Sequence, residues 1–244
     1  MGTKEILGRQ RGDAYEGIID LAVQGDLWLG EKTSEITIAE KLEMSRTPIR
    51  EALAVLKYQG IVEQRPQVGV WIKKVMAEEM AQLTQVSYAV KKKAMDSFVN
   101  DSNGDYFEVL RPSLEQILVM ADSRRSEDRL AQDRFLKAES ASHENIVTEG
   151  IGTAGGQMVA LWGLKRRLFH LENPLDIAAI NSILASNVKF TDALLQARFK
   201  DAHELLEDYH TTQLILIGAP INMPVNVPGT RPLHEAWKEL TDSV

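Results

Sequence analysis

Arg46, Arg50 and Lys57 fall on one face of a helix predicted within Ile38–Gly60, IAEKLEMSRTPIREALAVLKYQG. Ile49, Leu53 and Leu56, with Ala52 beside them, form an apolar stripe on another face. A rod that buries one side and offers arginines and a threonine on the other suits the major groove, where planar guanidinium groups meet base edges. Ser45 or Thr47 can cap this helix, Pro48 is tolerated in its first turn, and Gly60 can close it in a left-handed conformation. The same pattern also describes an ordinary amphipathic surface helix, so its neighbours must decide.

Those neighbours are consistent. Ala14, Ile18, Leu21 and Ala22 mark a helix ended by Gly25-Asp26, and a second runs roughly from Ser34 to Leu42. After the arginine-bearing helix, Ile61-Val62 and Val68–Ile72 flank Arg65-Pro66-Gln67, a hairpin signal in which Gly69 permits a close backbone approach, as a wing at the minor groove requires. Three helices followed by a hairpin predict a winged helix-turn-helix. From Met76 on, the periodicity is helical, with candidate helices near 77–99, 105–122, 126–149, 154–171, 175–197 and 200–217. The fold class expected is mostly α. It comprises an N-terminal winged helix-turn-helix (1–75), an all-helical bundle (76–218), and a proline-punctuated arm with a short helix (219–244). Lys91-Lys92-Lys93 is expected on a solvated face.

Composition narrows the classes. The 244 residues contain no cysteine, which excludes disulfides and thiolate metal sites. No apolar run has transmembrane length, and the N-terminus lacks the apolar core of a signal peptide, so a cytoplasmic location without membrane contact is expected. Residues 1–76 hold eleven basic and eleven acidic side chains, so the net charge of −7 resides in the remainder. A neutral head whose bases cluster on one helix can dock on DNA while the acidic bundle faces away from phosphate.

The run MSRTPIREALAVLKYQGIVEQRPQVGVWI resembles the DNA-binding domain of GntR-family transcriptional regulators, over about residues 14–73. Trp28-Leu29-Gly30 departs from the family's usual Pro-Gly. The resemblance implies operator contacts by Ser45, Arg46, Thr47 and Arg50, with Arg65, Gln67 and Gly69 at the wing. In this reading Arg46 and Arg50 reach bases or phosphates, while Ser45 and Thr47 hold phosphates and set the register. Glu51 is expected to pair with a neighbouring base.

The helical region resembles the FadR branch and its FCD-type effector domain. That resemblance implies a divalent metal of the zinc, nickel or manganese class, which this chain would hold through Glu139, His143, Asn187 and His210. Glu139 stands in place of Asp and Asn187 in place of His. Two imidazoles, a carboxylate and an amide make a poorer zinc site than three imidazoles and a carboxylate, so the alternative is a polar pocket that binds ligand directly. Arg166 and Arg167 could present a guanidinium to an anionic effector, with His143 and Asn187 beside them. Tyr88 and Lys91 stand where the family usually has Arg and Glu. His170 and His203 are unassigned.

The function expected from the resemblance is a homodimeric transcriptional regulator, not an enzyme, whose affinity for a DNA operator responds to a small-molecule effector, a carboxylate as in the wider branch. The rival is a metal-dependent enzyme using the Glu139, His143 and His210 pocket. Against it stands the lack of a nucleophile, zincin or P-loop motif.

Overall fold

The computed structural model describes residues 9–100, 111–112, 115 and 129–218. The predicted helix at 105–122 lies largely outside them, and the 219–244 arm entirely so. The fold class is as expected, mostly helical with one small sheet near the N-terminus. The winged head consists of α1 (Arg9–Gln24), β1 (Lys32–Thr33), α2 (Glu35–Lys41), α3 (Arg46–Tyr58), β2 (Val62–Arg65) and β3 (Gly69–Ile72). Then follow α4 (Ala77–Asn100), α5 (Arg129–Ile151), α6 (Thr153–Glu172), α7 (Ile177–Leu195) and α8 (Phe199–Ile217).

The head is organised by the stripe on α3. Ile49, Ala52, Leu53 and Leu56 are fully buried, as are Ala14 and Ile18 of α1 and Ile38 of α2, and α3 packs on both of those helices. Ser34 caps α2, its hydroxyl accepting from the Thr37 amide at 3.0 Å. The sheet is antiparallel in the order β1-β3-β2. The two-residue β1, pairing Lys32 with Trp71 and Thr33 with Val70, carries too little pattern to be visible in sequence. It also explains Gly69. At φ 156°, a Cβ there would lie 2.9 Å from Lys32 Cε and 3.1 Å from the Thr33 carbonyl oxygen. The close approach expected at Gly69 is therefore made to β1 within the protein.

In the bundle, α5 packs on α4 and α6, and α8 packs on α7 and α4. Small residues bring α5 and α6 together: a Cβ on Gly163 would fall 2.4 Å from Ser140 Cβ. Gly163→Ala is expected to destabilise the fold by about 1–3 kcal/mol despite alanine's better helix propensity, because two helix backbones must part. A denaturant midpoint equal to or above that of the parent would refute this packing account.

Ion pairs and a hydrogen bond tie head to bundle. Lys137 of α5 reaches Glu16 of α1 at 2.5 Å, Lys74 after β3 reaches Glu172 of α6 at 2.6 Å, and Arg129 donates to the Ala22 carbonyl at 3.0 Å.

Candidate nucleic-acid interface and the polar centre of the bundle

The face of α3 opposite its buried stripe is open. Arg46 and Arg50 side chains are 57% and 63% exposed, and both lean toward one acceptor, Glu35 of α2, at 3.7 and 3.3 Å. The other oxygen of Glu35 accepts from Gln64 of β2 at 2.8 Å. Glu35 thus holds two guanidinium groups side by side, their outer edges in solvent. Such surface pairs contribute little to stability; their effect here is orientation.

Ser45 is the N-cap residue of α3, but its side chain makes no capping bond. The capping role expected of it is not realised by Ser45, and its hydroxyl remains exposed beside Thr47 and the first-turn amides of α3. Glu51 is exposed and forms no ion pair among the described residues, contrary to expectation. At the wing, Arg65 pairs with Glu63 at 2.7 Å and lies 5.4 Å over the Trp71 ring. Gln67, with φ 61°, is at the exposed hairpin turn. Gly69, half-buried, packs against β1.

The second constellation lies at the centre of the bundle. Glu139 (α5) is fully buried, and both its oxygens are occupied. One accepts from Arg166 (α6) in a close ion pair, and the other accepts from Asn187 Nδ2 (α7) at 2.9 Å. Arg166, equally buried, also donates to Tyr209 Oη at 3.0 Å and Gln213 Oε1 at 3.1 Å, both on α8. Burial opposes the charge on Arg166, yet the Glu139 carboxylate and Tyr209 more than offset it, and its pKa is raised. His143 is enclosed by rings: Tyr209 at 4.8 Å, Phe190 at 5.6 Å and Trp162 at 6.5 Å. Neither of its nitrogens has a hydrogen-bond partner among the described residues.

The residues implied as metal ligands therefore divide. Glu139, His143 and Asn187 converge, but His210 does not join them; it stacks on Tyr88 at 4.2 Å toward the surface. Its neighbour Tyr209 takes the inward place, because Leu206, Tyr209 and Gln213 share the buried stripe of α8. No group of three or more His, Cys, Asp or Glu able to hold a metal occurs among the described residues. With a guanidinium tied to the one carboxylate, this donor set does not fit a divalent ion. Nor does it suit the rival enzyme, since a carboxylate locked to arginine is no free acid or base.

Of the implied effector residues, Arg166 is committed to this network and Arg167 points elsewhere, pairing with Asp133 at 2.7 and 2.9 Å and approaching Asp20 of α1 at 4.0 Å. Lys92 and Lys93 are exposed as expected, but Lys91 is buried (3% exposed), its ammonium 3.7 Å over the Trp162 ring. Burial, reinforced by the Arg166 charge, pushes its pKa well below the ordinary lysine value, with Glu139 opposing. Lys91, Tyr209, Gln213 and Trp162 were missed as members of the site. A lysine triplet reads as surface, and only its position opposite α6 and α8 shows otherwise. His170 bonds the Asn173 carbonyl at 2.9 Å, and His203 lies 3.4 Å from Asp96, so both have structural partners.

Burial lowers three histidine pKa values, His143 well below 6.5, His170 to about 4 and His210 to about 4. The folded state holds these rings neutral while the unfolded chain protonates them as pH passes below 6.5. Stability is therefore expected to fall as pH drops from 7 toward 4, read as a decreasing denaturant midpoint. A midpoint independent of pH over that range would contradict the burial of these rings.

Fold and site define a winged helix-turn-helix head joined to an all-helical bundle with a charged centre. Residues 10–72 match the model described as "Bacterial regulatory proteins, gntR family". The chain is 24% identical over 137 residues to an HTH-type transcriptional regulator in an unstable DNA locus of Streptomyces ambofaciens, covering 56% of this chain and 55% of that one. It is 28% identical over 124 residues to the "Probable D-xylose utilization operon transcriptional repressor" of Paenarthrobacter nicotinovorans, covering 51% and 52%. It thus spans about half the length of the curated relatives it matches. Two solved structures share the fold over most of the chain. A GntR structure from Rhodococcus sp. RHA1 has TM-score 0.67 at 21% identity, covering 87% of this chain and 100% of its own. E. coli McbR/YncC has TM-score 0.66 at 15%, covering 86% and 98%. Among the described residues, no helix is long and apolar enough to cross a membrane.

Proposed function

We propose that this protein is a sequence-specific DNA-binding transcriptional regulator of the GntR family, with the FadR-type bundle as its sensing domain. The observation that carries this reading is the pair of solvent-facing guanidinium groups, Arg46 and Arg50, aligned by Glu35 on a helix whose other side is wholly buried. The gntR-family match over the same residues supports it. Two copies of the chain would place two α3 helices in successive major grooves, about one helical turn apart.

The bundle would bind a small anionic effector, a carboxylate as in the wider branch, and pass the change to the head. α6 is suited to that coupling. Its consecutive residues Lys165, Arg166 and Arg167 reach Glu79 at the start of α4, the buried centre, and Asp133 with Asp20 of α1, respectively. A ligand that favours one position of α6 changes the spacing of the heads and so biases DNA affinity.

The test is selection of bound fragments from genomic DNA, followed by mobility-shift titration at stated salt. A common, pseudo-palindromic motif bound by a dimer supports the reading. Sequence-independent binding, or none, would remove it.

A further inference from the structure

The C-terminal end of α3 is where the arginine-bearing helix meets the bundle. Gly60, with φ 70°, follows the C-cap residue Gln59, and a Cβ built on it would lie 3.6 Å from Lys165 Nζ. Lys165 belongs to α6 and is buried, 7% exposed. Its ammonium also pairs with Glu79 in the first turn of α4. One cation thus stands between the end of α3, whose dipole favours positive charge, and a carboxylate of α4. The same end is held within the head, where Tyr15 of α1 donates to Gln59 Oε1 at 2.8 Å.

Other ties from the bundle act elsewhere. Lys137 and Arg129 hold α1, and Lys74 holds the end of the sheet. Lys137 and Lys74 are half-exposed, so their ion pairs are screened by water and salt. Lys165 is enclosed, and its contact falls on α3 itself. The lever from there is long. The thirteen residues of α3 span about 20 Å, and Arg46 and Arg50 lie at the end far from Gly60. Because α3 buries its stripe against α1 and α2, the head turns as a unit. A turn of about 10° about the Gly60 end carries the arginines about 3.5 Å, roughly the rise of one base pair.

We propose that Lys165 is a positioning residue for operator recognition: it fixes the angle between α3 and the bundle, and with it the separation of half-sites that a dimer accepts. This rests on the dimeric DNA-binding reading above. Lys165 itself touches no DNA, being enclosed at the opposite end of α3 from the exposed guanidinium groups.

The test uses the full chain and the half-site found by fragment selection. Duplexes carry one half-site, or two at the selected spacing, or two with one base pair added or removed. Anisotropy titrations at one salt concentration give each affinity. The parent should lose roughly tenfold for one base pair either way, since protein or DNA must then twist to fit. In Lys165→Met that loss should shrink to about threefold or less, with affinity for the single half-site unchanged. Lys165→Arg keeps the cation and should restore the parent's preference. Glu79→Gln, at a partly exposed carboxylate, should shift the preference in the same direction, and it carries the test if Lys165→Met does not fold. A purely structural role would weaken every duplex alike. A parent indifferent to spacing, a preference unchanged in the folded variants, or affinity lost equally on all duplexes overturns the positioning role and leaves the DNA-binding reading standing. A parent that binds no duplex specifically overturns both.

Discussion

Arg50→Ala is expected to abolish specific operator recognition while leaving the protein folded. Among the described residues the guanidinium is bound only to Glu35, at 3.3 Å, and it is 63% exposed, so its removal costs the fold little. Its outer edge, by contrast, is placed for a bidentate contact with guanine or phosphate. One such contact is worth about 1–3 kcal/mol. In a dimer the change occurs twice, and about 2–6 kcal/mol corresponds to a weakening between roughly thirtyfold and twenty-thousandfold. Arg50→Lys keeps the charge without the planar fork, so non-specific binding should persist while discrimination between operator and random DNA falls. Mobility shifts with both DNAs at one salt concentration read the difference. Specific affinity unchanged in Arg50→Ala, with native circular dichroism, would show that α3 does not dock as proposed.

The second large effect is on stability. Arg166 and Glu139 are completely buried partners, and replacing either alone strands the other charge. Arg166→Met and Glu139→Gln are each expected to cost about 3–5 kcal/mol. For a chain of this size that lowers the thermal midpoint by roughly 6–20 °C. The double variant should recover much of the loss, since two neutral side chains leave no uncompensated charge, although Tyr209, Gln213 and Asn187 would still lose partners. Additive losses in the double-mutant cycle would mean that the two groups do not interact as described. Zinc, nickel or manganese should not raise the midpoint of the parent. A metal-dependent rise that disappears in Glu139→Gln would restore the metal ligand set that Arg166 displaces here.

The amino-acid order by itself determined the helices and the hairpin of the head, though not the two-residue β1. Apolar residues at helical spacing, proline in a first turn, and β-branched runs around Arg65-Pro66-Gln67 are local signals, each strong enough to set its own element, and together they specify one topology. The same holds for α4 to α8, whose boundaries fall within a few residues of those expected from periodicity. The polar centre was decided only by tertiary structure. Whether Lys91 is solvated or buried, whether Tyr209 or His210 points inward, and whether Glu139 is offered to a ligand or bound to Arg166 all depend on how α4, α5, α6, α7 and α8 face one another. Periodicity states which residues share a helix face, but the neighbour that a face meets comes from packing, and the energy of a buried charge is set by that neighbour.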